Sequence, residues 1–137
     1  MLAISYVVLL DGNKVLLQQR QGTGFMDGYW SIAAAGHVEP DEGSMDAVIR
    51  EAREELGVEL RPADVHLFIS ALRQEPFIGA NEVVDDFYLT TCWSGTPQIM
   101  EPDRTADLRW FDISHLPQNV VPHERPVLLE LLQDYSP

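Results

Sequence analysis

Two apolar runs near the N-terminus, ISYVVLL at 4–10 and KVLLQQR at 14–20, flank Asp11-Gly12-Asn13. β-Branched and large aliphatic residues on both sides of a glycine-containing turn read as a β-hairpin. This commits the first 20 residues to a sheet, and the rest of the chain must cover it. Residues 21–28 (QGTGFMDG) hold three glycines and read as a loop. Tyr29 to Ala33 suits a short strand, and 36–43 (GHVEPDEG) a second loop. Ser44 is a suitable N-cap, Asp46 lies in the first turn, and Gly57 is a suitable C-terminal stop. Between them Met45, Val48, Ile49, Ala52 and Leu56 recur at helical spacing and form one apolar face. After Pro62 come β-rich runs at 65–73 and 83–93 and a shorter one at 108–111. A last helix is predicted over 124–133, with Pro126 in its first turn. Strands, helix, strands, helix is the order of an α/β fold, a mixed sheet with helices packed on it.

A chain of 137 residues is expected to form one domain and to bury about two-thirds of its unfolded surface. No apolar run approaches the roughly 20 residues of a membrane span. The first ten residues lack the basic region of a secretory signal and read as a strand. The single cysteine, Cys92, excludes an intrachain disulfide and fits a reducing compartment; the cytoplasm is the expected location. Cys92 sits in an alternating apolar run, so a buried, inert thiol is expected. Nine basic residues against 22 acidic ones disfavour nucleic acid and anionic membrane as partners. A phosphate-bearing substrate remains open if cations accompany it.

The predicted helix concentrates this charge. Glu51, Glu54 and Glu55 fall within about 100° of one another around the helix axis. The apolar face anchors the helix, so the three carboxylates are held together. Exposed like charges at i and i+4 cost a few tenths of a kcal/mol per pair. A bound hard cation such as Mg²⁺, which takes oxygen ligands, would offset that repulsion. The plainer reading is a solvated acidic face, with Arg50 pairing Glu54 at i, i+4. His37, His66, His115 and His123 lack metal-ligand spacing, so no zinc site is read.

The segment 36–58, GHVEPDEGSMDAVIREAREELGV, resembles the Nudix box, G-x5-E-x7-R-E-U-x-E-E-x-G-U, where U is a bulky aliphatic. Gly36, Glu42, Arg50, Glu51, Glu54, Glu55 and Gly57 fill all seven fixed positions. Val58 fills the last aliphatic position, and Ala52 stands where a larger residue is usual. At about 7% usage per residue, a chance match is on the order of 10⁻⁸ per start position. The strand order is also similar to that of the Nudix α/β/α sandwich, a mixed sheet flanked by helices, so the resemblance covers nearly all of residues 1–137.

The resemblance implies hydrolysis of a diphosphate linked to another moiety, usually in a nucleotide, with Mg²⁺ as cofactor and Mn²⁺ as substitute. It implies Glu51, Glu54 and Glu55 as metal ligands, with the main-chain carbonyl of Ala35 as a further one. Arg50 would orient a neighbouring glutamate, and Glu42 would support loop and helix. Gly36 and Gly57 would serve a close turn and a helix stop. A further carboxylate outside the box often completes the site or acts as base; Glu101 is the first choice, with Asp85 and Asp86 as rivals. Arg20 is placed to meet a substrate phosphate, against an ordinary surface ion pair. Phe25, Tyr29 and Phe77 are candidates to stack on a base, against core packing. Many relatives read Pro-Gly-Gly before the box, whereas this chain reads Ser31-Ile32-Ala33-Ala34-Ala35-Gly36. That departure spares the ligands and loosens the inference about substrate.

The expected substrate is a nucleoside triphosphate. ADP-ribose, a nucleotide sugar and the 5′ pyrophosphate of RNA are alternatives, the last disfavoured by the negative charge. A non-catalytic ligand-sensing module is the reading from another class, but such modules generally lose box carboxylates. Isomerase chemistry on an isoprenoid diphosphate would need a cysteine near the substrate, and Cys92 is the only candidate. Monomer and homodimer are both compatible with the sequence.

Overall fold

The structure is a computed structural model and describes residues 2–75 and 80–135. Phe77 lies outside the described residues. Seven strands and two helices follow in the order β1 (Leu2–Asp11), β2 (Lys14–Arg20), β3 (Trp30–Ile32), β4 (Ala34–His37), α1 (Ser44–Leu56), β5 (His66–Glu75), β6 (Ala80–Thr90), β7 (Thr105–Asp112) and α2 (Arg125–Tyr135).

β1 and β2 form the expected hairpin, with Asp11 opposite Lys14. The turn needs φ > 0, and Gly12 supplies it at 61°. Beyond the turn the two strands diverge. β1 pairs antiparallel with β4 and parallel with β6, which in turn pairs antiparallel with β5. β2 pairs antiparallel with β3 and β7. The sheet is therefore mixed, splayed into two wings that share the hairpin.

Period-2 alternation in β1 divides its side chains between two cores. Val7 and Leu9 pack with Val48, Ala52 and Leu56 of α1. Tyr6, Val8 and Leu10 pack on the other face with Val127, Leu128 and Leu131 of α2. A strand covered on both faces is apolar throughout, which is why 4–10 reads as one unbroken run. The result is the expected α/β/α sandwich.

Four sequence expectations change. Ser44 is not the N-cap of α1; Gly43 is. Ser44 opens the first turn, and its hydroxyl donates to the Asp86 carboxylate at 2.7 Å, a stronger acceptor than a neutral oxygen. The loop predicted over 36–43 begins two residues later, because Gly36 and His37 continue β4 against Ser5 and Ile4. The strand predicted to reach residue 93 stops at Thr90. There Thr90 Oγ1 donates to the Cys92 carbonyl and accepts from the Cys92 N–H, which turns the chain out of the sheet. Alternation no longer governs Cys92, and its thiol is exposed rather than buried.

Candidate active site

The box Arg ties the loop before α1 to the helix. Arg50 donates Nε and one terminal nitrogen to the two oxygens of Glu42, at 2.7 and 2.9 Å. That terminal nitrogen also reaches the His37 carbonyl at 3.2 Å. The other donates to Glu51 at 2.7 Å and to Glu54 at 3.2 Å. These hydrogen bonds hold Arg50 firmly charged and draw Glu42 below its usual range, Arg50 being the main cause. Arg50 therefore orients carboxylates, as the resemblance implies.

Glu55 lies deeper. One of its oxygens accepts from the Ala35 N–H at 3.1 Å, the other from Gln18 Nε2 at 3.4 Å. Burial, and after it the neighbouring Glu51, push the Glu55 carboxyl well above its ordinary value. A glutamate that resists ionisation because of burial and a second glutamate is a group that a cation would discharge.

Gly36 makes room for this pair. A Cβ at position 36 would overlap the Glu51 carboxylate. Its φ is not in the left-handed region, so space rather than backbone freedom calls for glycine. Gly36→Ala is expected to displace the Glu51 carboxylate and lower kcat by about tenfold or more. The melting temperature should move by no more than about 2 °C, because the obstructed atoms end a flexible side chain. Steady-state kinetics with a thermal melt checks both halves. Gly57 does need its freedom: at φ 70° it closes α1 and donates to the Ala52 and Arg53 carbonyls.

The chain then returns to the end of α1. Gln98 and Met100 donate their N–H groups to the Leu56 and Glu55 carbonyls, at 3.0 and 3.3 Å. This docking satisfies helix-end acceptors and brings Glu101 to the same cleft as Glu51, Glu54 and Glu55. The cleft has a volume of about 610 Å³. The rivals are placed elsewhere. Asp85 is buried in an ion pair with Arg73 and a hydrogen bond from Tyr6. Asp86, on the opposite face of β6, accepts from Ser44 and Ser70.

Arg20 and Phe25 both line the cleft. Arg20 donates to the Phe25 carbonyl at 2.7 Å and to Thr23 Oγ1 at 3.0 Å, with its guanidinium 5.5 Å from the centre of the Phe25 ring. Tyr29 is not brought in. Alternation at the start of β3 turns Trp30 into the core and leaves Tyr29 at the surface, outside the cleft lining.

Three cleft residues escaped the sequence reading. Gln18 donates to Glu55 and accepts from the Thr105 hydroxyl at 2.6 Å, linking β2, α1 and β7. Arg104 lies beside Glu101. Glu124 is 3% exposed and accepts from the Ile32 N–H at 2.7 Å and from the Ser31 hydroxyl at 3.0 Å. Each is an ordinary polar residue in sequence, and no motif marks it. With Arg20, Arg50 and Arg73, Arg104 brings four of the chain's nine Lys and Arg residues to one cleft. A protein of net charge −13 thus gathers its cations where a polyphosphate would need them.

Burial raises the Glu124 carboxyl to about 7. Between pH 4.5 and about 7 the folded protein keeps a proton that the unfolded chain has released. Stability should therefore fall as pH rises through that window, by on the order of 3 kcal/mol from this group. Urea unfolding at pH 5 and pH 8, for the native protein and Glu124→Gln, checks it: the variant should lose that part of the slope.

Comparison with known proteins agrees with this geometry. The family model described as NUDIX domain matches residues 1–131. The crystal structure of a MutT NUDIX hydrolase from Burkholderia pseudomallei superposes with a TM-score of 0.82 at 30% identity, over 93% of this chain and 95% of that one. An isopentenyl-diphosphate Delta-isomerase from Jannaschia sp. (strain CCS1) is 30% identical over 123 residues, 86% of this chain and 67% of that protein. A CTP pyrophosphohydrolase from Escherichia coli (strain K12) is 45% identical over 56 residues, 41% of this chain and 40% of that protein. The chain thus spans about two-thirds or less of the curated relatives it matches. It belongs to the NUDIX family, and its class within it is pyrophosphohydrolase. Among the described residues no helix is long and apolar enough to cross a membrane.

Proposed function

We propose that the protein hydrolyses the diphosphate linkage of a nucleoside diphosphate derivative, most readily a nucleoside triphosphate. The observation that carries this reading is the buried Glu55 beside Glu51, in a cleft lined by four arginines. ADP-ribose and nucleotide sugars are the alternative substrates, and a non-catalytic ligand-sensing module the alternative role. The retained box carboxylates favour catalysis.

The donors at this end of the cleft are oxygens, which suit Mg²⁺ or Mn²⁺ rather than a softer ion. Among the described residues no three acidic, His or Cys side chains are already gathered as a metal site. The reason is visible in Arg50, which holds Glu51 and reaches Glu54. Glu51, Glu54 and Glu55 would hold the ion, with the Ala35 carbonyl and Glu101 completing the set. Bound there, a divalent cation supplies polarisation of the phosphate and a more acidic water. Arg20 and Arg104 would hold the phosphate chain, and the Gln18 and Ala35 donors would fix the Glu55 carboxylate. Isomerase chemistry is not favoured: Cys92 stands outside the cleft, beside Trp93 and Arg61. The single exposed thiol is consistent with a cytoplasmic protein, and a monomer or homodimer serves this chemistry equally.

The test is a panel of nucleoside triphosphates, nucleotide sugars and ADP-ribose with Mg²⁺, with products identified. Release of a nucleoside monophosphate supports the reading; no turnover of any member would overturn it. A second measurement addresses Glu101. Glu101→Gln should lower kcat by about tenfold or more with KM little changed, and Asp103→Asn should do much less. Equal behaviour of the two variants would remove Glu101 from the site.

A further inference from the structure

The end of the cleft opposite the box carries a buried carboxylate that hydrolysis does not use. We infer that Glu124 selects nucleobases presenting an exocyclic amino group over their oxo counterparts: cytosine over uracil, and adenine over hypoxanthine. The inference rests on the proposed nucleotide substrate and adds the class of base.

Glu124 is 3% exposed yet lines the cleft. Its known partners are donors. The Ile32 N–H bonds Oε1 at 2.7 Å, and the Ser31 hydroxyl lies 3.0 Å from each oxygen. A carboxylate offers about four lone-pair sites, so these two donors leave acceptor capacity on Oε2. That oxygen is 3.9 Å from His123 Nε2, beyond a hydrogen bond. An amino N–H entering there finds an acceptor, whereas a carbonyl oxygen meets a like partial charge.

The placement suits a nucleotide with its phosphates at the box. Gln18 Nε2 lies 3.4 Å from both Glu55 Oε1 and the Ile32 carbonyl, and the Ile32 N–H is held by Glu124. The path between the two carboxyl groups is thus on the order of 10 Å, the reach from a nucleotide's phosphate to its base edge. Arg20 is near enough to Glu124 to favour its ionised form, and the Phe25 ring under Arg20 provides a stacking surface at that end.

Glutamine at 124 tests the inference sharply. Its amide oxygen can keep the Ile32 and Ser31 bonds, which turns the NH₂ toward the cleft and reverses the polarity that the base meets. The experiment measures kcat/KM for CTP against UTP and ATP against ITP with Mg²⁺ at pH 8. Calorimetric binding of CMP, UMP, AMP and IMP without metal runs beside it, for the native protein and Glu124→Gln. The expected result is an amino-over-oxo preference of about tenfold or more in the native protein, inverted in the variant. A role confined to packing would lower all four nucleotides together and leave the ratios alone. Equal ratios in both proteins would overturn the inference. So would equal binding of CMP and UMP by the native protein, which needs no variant to fold, or no binding of either. Discriminating binding without hydrolysis of any triphosphate would uphold the base assignment and overturn the proposed reaction. Hydrolysis without discrimination would do the reverse.

Discussion

Glu55→Gln is expected to lower kcat by at least about 10²-fold while leaving the metal-free protein as stable as before or more so. The two effects have one origin. Glu55 is buried beside Glu51, and burial followed by that neighbour drives its proton affinity up. The folded protein therefore holds a proton that the unfolded chain releases above about pH 4.5. The unfolded state binds fewer protons over that range, so stability falls as pH rises from about 4.5 through the folded-state value. Glutamine keeps the shape and the acceptor for the Ala35 N–H, and it removes the titration. The same substitution deletes a charge whose value to catalysis, as charge develops on the phosphate, is often about 3 kcal/mol. Steady-state kinetics paired with urea unfolding at pH 8 reads both. Near-native turnover would show that Glu55 is not a ligand, and a large loss of stability would show that its burial is structural.

Chelation should abolish activity, and Mg²⁺ or Mn²⁺ should restore it. The carboxylate cluster on α1 carries more negative charge than Arg50 balances, since Arg50 serves Glu42, Glu51 and Glu54 together. A cation must win Glu51 and Glu54 from Arg50, so Mg²⁺ affinity should rise when that competition is weakened. A readout independent of turnover is the melting temperature. Mg²⁺ should raise it in the native protein, by mass action on the folded state, and much less in Glu55→Gln. Full activity in excess EDTA would end the metal assignment. A Mg²⁺ shift of equal size in both proteins would move the ion away from Glu55.

The uneven legibility of this site has physical reasons. The spacing of Glu51, Glu54 and Glu55 is a property of one helix, whose periodicity is local and strong. Their common face was therefore visible in the sequence, as were Gly57 as the stop and Arg50 as a partner within one turn. Ser44 was misread because capping propensity is a local average, and Asp86, 42 residues away, offers its hydroxyl a charged acceptor. Cys92 was misread because apolar alternation continues past Thr90 while the strand does not.

By itself the sequence determined the hairpin, the two-faced burial of its first strand, and the order of strands and helices. It also determined the one-sided display of the box carboxylates. All of these follow from side-chain periods of 2 and 3.6 acting over fewer than 20 residues. Only the tertiary structure decided that Gln18, Thr105 and Glu55 form one hydrogen-bonded chain, that Arg20 and Phe25 enter the cleft while Tyr29 does not, and that Glu124 lies buried at its far end. Those contacts join residues as far apart as Ser31 and Glu124, 93 positions along the chain. The curvature of two sheet wings and the docking of α2 set such distances, and no short-range pattern encodes them. A glutamate in sequence is a charge on a surface until the fold removes its water.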